Sequence, residues 1–93
     1  MGKLIYGAAS TIFDVEDRML AHVEMVALAK LRRNENFALT IESTSAGRTT
    51  LWLASQTDLQ FVYDGPKQEI NRVWLDQLVD SANTASGLQL LPE

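Results

Sequence analysis

Two stretches of helical periodicity bracket three stretches of strict alternation, and that order points to a mixed α+β architecture before any motif is considered. The first helical stretch runs from about Glu16 to Arg33. At about 100° per residue, Met19, Leu20, Val23, Val26, Ala27 and Leu31 share one broad face, the expected core stripe. Asp14, Glu16 and Asp17 at its start and Lys30, Arg32 and Arg33 at its end complement the helix dipole. Asp14 or Glu16 is the expected N-cap, and Asn34 can close the helix in a left-handed conformation. Ala21, Met25, Leu28 and Ala29 form a second, smaller apolar ridge, with Glu24 and Arg32 between or beside the two. A helix that rests on a sheet with its back to water has no use for a second ridge. Another helix or a partner is expected to cover it.

The second helical stretch runs from about Pro66 to Asn83, with Pro66 in the first turn and Asp64 as cap. Ile70, Val73, Trp74, Leu78 and Ala82 share its expected inward face, with Val79 at the edge and Arg72, Asp76 and Asp80 outside. Gly87 marks a terminator or turn. Between the helices, Phe37, Leu39 and Ile41 alternate along Phe37–Glu42. Leu51 and Leu53 do so along Thr49–Ala54, and Leu59, Phe61 and Tyr63 along Leu59–Tyr63. The segment Ser43–Arg48 reads as a hairpin loop with Gly47 in the turn, and Ser55–Asp58 as a second short connection. Lys3–Tyr6, Thr11–Phe13 and Leu88–Leu91 can add edge strands. The order β(β)αβββαβ predicts one α+β domain over residues 1–93. Its antiparallel sheet would have four to six strands, with both helices packed on one face.

Composition narrows the function classes. In 93 residues, 46% hydrophobic and 22% charged side chains suit a folded core rather than a disordered chain. No cysteine is present, which removes disulfides and thiolate metal sites and fits the cytoplasm. The N-terminal apolar stretch, Leu4–Tyr6, is too short for a signal sequence, and no run approaches the ~18 residues of a spanning helix, so no membrane role is expected. The net charge of −4 disfavours non-specific nucleic-acid binding, because phosphate binding rests on clustered cations. Lys30, Arg32, Arg33 and Arg48 nevertheless offer a local basic patch that could hold an anion if the Gly47 hairpin folds back toward the end of the first helix.

No catalytic residue, metal-ligand set or cofactor site emerges. His22, the single histidine, is expected at the outer side of the first helix near Arg33, partly exposed and without a nucleophile beside it. Asp76 and Asp80 stand at i and i+4, a pairing that usually marks a solvated face. Asp14, Glu16 and Asp17 make better helix-start charges than metal ligands. The hydroxyl-rich segment Ser43–Thr50 has one glycine and no Gly-Lys-Ser/Thr, so it is not a phosphate-binding loop. Trp52 belongs on the open sheet face beside Thr40, Thr50 and Val62, where it is packed over, anchors a protein contact or stacks a base.

Three segments carry a family likeness. Leu20–Phe37, the pair Gly47–Arg48 followed by Leu51–Trp52, and Ile70–Glu93 resemble short uncharacterised proteins of actinobacteria and their phages. The likeness spans nearly the whole chain and implies no established activity. The loop before Arg48 is less glycine-rich here than in those relatives. Such proteins are often labelled ATP-dependent DNA ligases, which form a lysyl-adenylate at Lys-x-Asp-Gly. Here Asp64–Gly65 is present, but Val62 stands in the lysine's place, and the chain is far shorter than a nucleotidyltransferase domain. The expected function is a small non-enzymatic protein-interaction module. It would self-associate through Ala21, Met25, Leu28 and Ala29, with Trp52 as a further contact. The alternative is a nucleic-acid-associated accessory protein using Lys30, Arg32, Arg33 and Arg48. A domain that binds a nucleotide or another small ligand is a third, weaker reading. No cofactor is expected.

Overall fold

A computed structural model describes residues 1–43 and 47–93. The chain runs β1 (Gly2–Tyr6), β2 (Thr11–Val15), α1 (Asp17–Leu31), β3 (Phe37–Ser43), β4 (Gly47–Leu53), β5 (Leu59–Val62), α2 (Arg72–Ala82) and β6 (Leu88–Gln89). The α+β class and the element order match the sequence reading. The strands divide differently, into two three-stranded sheets ordered β2-β1-β5 and β4-β3-β6 rather than one larger sheet. The first sheet is antiparallel throughout. In the second, β3 pairs antiparallel with β4 and parallel with β6.

The split arises at residues 54–58. The Thr57 hydroxyl accepts a hydrogen bond from Ala54 N–H, and Thr57 N–H donates to Ala54 O, both at 3.0 Å. This turn ends β4, and β5 joins β1 instead of folding back on β4. Gly7 N–H donates to Asp58 O at 2.8 Å beside the first β1–β5 pair, Tyr6–Leu59. As a result β1, expected at an edge, is the central strand of its sheet. The hairpin expected at Ser43–Arg48 is made by β3 and β4 in the register Ser43–Gly47. Residues 44–46 of that loop lie outside the described residues.

The alternating side chains face as the sequence predicts. Phe37, Leu39, Ile41, Leu51 and Leu53 are buried, and Trp52 and Val62 point out. From α1, Leu20, Val23, Val26 and Ala27 join the core, and Met19 and Leu31 flank it. Leu4, Leu20, Leu39, Leu53, Leu78 and Leu88 are almost entirely removed from solvent, each contributing about 1.5–3 kcal/mol of burial free energy. Helix α1 packs against β1, α2 against β3 and β6, and the two helices against each other.

Of the two expected caps of α1 one is used, and the start of α2 differs from expectation. Glu16 occupies the N-cap of α1 without a side-chain cap bond, and Asp14 lies in β2, where it pairs with Lys3 at 2.9 Å. At the other end Asn34, at φ 58°, closes the helix in the left-handed region. Helix α2 begins at Arg72 rather than Pro66, because Asn71 caps it by accepting Trp74 N–H. With that start, Trp74, Leu78 and Ala82 form the inward line at i, i+4 and i+8. Val73, one residue and about 100° away, is 69% exposed instead of inward. Ile70 lies outside the helix.

Candidate functional site

Residues 63–71 do not continue into a helix because side chains of α1 hold them as a strap across its N-terminal half. The Asp17 carboxylate accepts Gly65 N–H at 2.8 Å and Asp64 N–H at 3.4 Å. The Tyr63 hydroxyl donates to Glu24. Arg18 Nη1 donates to Glu69 O at 2.8 Å, and His22 Nε2 accepts Asn71 N–H at 2.9 Å. Asp17 and Glu24 lie on one flank of the exposed side of α1, and Arg18 and His22 on the other. The strap therefore crosses near Ala21. Burial, and then the bond to Glu24, hold the Tyr63 hydroxyl far above the usual phenol range. Tyr63 is the neutral donor and Glu24 the acceptor.

The strap leaves the rest of the second apolar ridge open. Ala21 is half-buried beneath it, Met25 and Leu28 are 45% and 49% exposed, and Ala29 is exposed. Between strap and helix runs a groove of about 450 Å³ whose walls include Ala21, Met25, Tyr63 and Ile70. No second helix covers the ridge among the described residues, because α2 packs on the inward side of α1 around Trp74, Leu78 and Ala82. Trp52, expected on the open sheet face as a further contact, is well apart from this ridge. It projects from the open face of the second sheet and is 58% exposed.

The four cations of the expected basic patch are not brought together. Lys30 is largely buried, its ammonium held by Asn83 Oδ1 and by Glu35 Oε1 at 3.4 Å. Arg33 lies 4.0 Å from Glu35. Arg32 and Arg33 are exposed at the end of α1. Arg48 sits opposite Glu42 at the far end of the β3–β4 hairpin, five residues along the strand from Phe37, or about 17 Å at the usual strand rise.

His22 is a correction. It is fully buried rather than partly exposed, and its ring lies 4.3 Å from that of Trp74. Asn71 N–H can only donate, so Nε2 is the acceptor, and Nδ1–H donates to Arg18 O at 2.7 Å. This satisfied, neutral imidazole ties α1 to the cap of α2 and has no free nitrogen for catalysis. The three acidic residues at the helix start also diverge, Asp14 toward Lys3 and Asp17 toward the strap. Among the described residues no cluster of histidine, cysteine, aspartate and glutamate could hold a metal ion. No helix there is long and apolar enough to cross a membrane. The strap is hidden in the sequence because Pro66 and Asp64 also make a good helix start. Asp64–Gly65, a turn pair, is its signal in the sequence, whereas the Asp17 that holds it is distant along the chain.

Over the described residues, fold and site together define a small α+β protein of two three-stranded sheets and two helices, with an apolar ridge left open beside a strapped groove. The chain belongs to a family described as a domain of unknown function (DUF7882), whose model matches residues 1–93. No curated protein and no solved structure matches it.

Proposed function

We propose that this chain is a small non-enzymatic interaction module that self-associates through the open, C-terminal half of α1. The observation that carries the reading is the half-exposed pair Met25 and Leu28 at i and i+3, on a helix whose other face is core. A ridge of this kind loses contact with water when it meets its own copy across a two-fold axis. An antiparallel crossing centred on Leu28 supports that occupant. Glu24 lies four residues before Leu28 and Arg32 four after it, so each Arg32 falls beside the other copy's Glu24. Leu28 then meets Leu28, and Met25 lies over the stem of Arg32. The patch is smaller than a standard interface of ~800 Å² per partner, so the dimer is weak and depends on concentration.

Light scattering across a concentration series tests this. The wild type is expected to rise from monomer toward dimer mass, and Met25→Lys with Leu28→Glu to remain a folded, soluble monomer. A monomeric wild type at every concentration, or a double variant that still dimerises, rejects the ridge as the contact. A role on nucleic acid would rest on Arg32 and Arg33, with Lys30 already engaged by Asn83 and Glu35. It requires binding that falls steeply with salt. The absence of cysteine and the likeness to short actinobacterial and phage proteins agree with a cytoplasmic accessory module.

A further inference from the structure

Trp52 stands over a second cleft that is independent of the α1 ridge. The cleft is a shallow depression of about 490 Å³ where the end of α1, the end of α2 and the β3–β4 pair meet. Its floor is made of small residues. Ala38 is the cross-strand partner of Trp52, and Gly87 approaches so closely that a Cβ there would come within 2.6 Å of Ala38 O. A side chain at Gly87 would collide with Ala38, so the strand and the turn lie against each other at this edge of the cleft. The indole itself is more than half exposed, unusual for the side chain with the largest apolar surface.

The polar groups around this platform select the ligand. Asn36 and Asn83 line the cleft with the indole. Asn83 Oδ1 accepts from Lys30, which leaves its NH₂ group to donate. Lys30 and Glu35 are the ionic groups of the lining, and they pair with each other. The cleft is thus electrically balanced, and the ammonium that would attract a phosphate is already held by Asn83 and Glu35. A nucleotide's phosphate therefore gains less from it than from a free ammonium. A neutral ring with one apolar face and a hydroxyl-bearing edge matches both parts, with C–H groups against the indole and hydroxyls on the two amides. We propose that the Trp52 cleft binds a neutral carbohydrate, with Trp52 as the stacking platform and Asn36 and Asn83 as the hydrogen-bonding wall.

The two tryptophans allow a direct test by NMR. Trp74 Nε1–H is bonded to Leu91 O inside the fold, so its indole resonance is an internal control, whereas that of Trp52 reports on the cleft. Cellobiose, N,N′-diacetylchitobiose and maltose are titrated into the ¹⁵N-labelled chain through the millimolar range expected of a shallow site, with adenosine and AMP as competing classes. The expected result is a saturable shift of the Trp52 indole with at least one saccharide and a fixed Trp74 indole. The shift of neighbouring amides is lost in Trp52→Ala and weakened several-fold in Asn36→Ala. Saccharides that move no resonance overturn the proposal. So does a response to adenosine or AMP alone, which would make the indole a base-stacking site, and so does a saccharide response that survives in Trp52→Ala.

Discussion

His22 shows how much one side chain can carry. Its two ring nitrogens bond Arg18 O and Asn71 N–H, and its face lies on Trp74, so it joins α1, the strap and the cap of α2 at once. Removing it empties a fully buried volume and strands the Asn71 N–H. His22→Ala is therefore expected to cost about 2–4 kcal/mol, read as a shift of the urea midpoint at unchanged slope. A loss below about 0.5 kcal/mol would place His22 among ordinary surface residues. The sequence misreads this residue because on a helical wheel it falls between the two apolar arcs, where a polar side chain looks half-exposed. The partner that buries it, Trp74, is far along the chain and reaches it only through tertiary packing. Met25 and Leu28 were legible by contrast, since their exposure follows from angle alone.

Elements follow local rules more closely than their partners do. The inward sides of β3, β4 and β5 and the closing Asn34 of α1 can be read from alternation and residue type. Pairing cannot, because it is decided by side chains distant in sequence. The two-residue strand β6 illustrates the point. It is held parallel to β3 through Leu39–Leu88 and Thr40–Gln89, and it enters through Gly87 at φ 81°. Gly7 has nearly the same conformation, φ 78°, but nothing within 4 Å of an added Cβ. The two glycines separate conformational strain from crowding. Gly7→Ala is expected to cost about 1–2 kcal/mol from left-handed strain alone. Gly87→Ala carries the same strain plus the clash with Ala38, and is expected to lose about 3 kcal/mol or more. Denaturant unfolding of both variants decides it. Equal losses would mean that β3 yields to the added methyl without cost.

At the scale of the whole molecule, stability depends on contacts that join remote stretches, and these explain why topology was the least legible property. Nothing in the composition of β5 tells that it will pair with β1, some 55 residues earlier, and the turn at Ala54–Thr57 is compatible with either partner. The same is true of the junction at Glu93. Its carboxylate receives Arg18 Nε at 2.7 Å and Asn71 Nδ2 at 2.9 Å, linking α1, the α2 cap and the last strand's continuation across 75 residues. The Arg18 guanidinium first, and then Asn71, hold the Glu93 carboxyl at about 2, down from its ordinary 4.5. A depressed acid binds fewer protons in the folded state than in the unfolded one. Its contribution is therefore complete above the unfolded value of 4.5 and is lost as pH falls toward about 2. Urea unfolding at pH values through that window is expected to show a steeper acid loss for the wild type than for Glu93→Gln. The two stability curves should converge at the acid end, where the wild-type carboxyl is itself protonated. Because the pair is partly exposed, added salt should shrink the difference. Parallel curves for the two proteins would show that this junction does not contribute to the acid response, leaving it to carboxylates such as Asp64, whose value is also lowered.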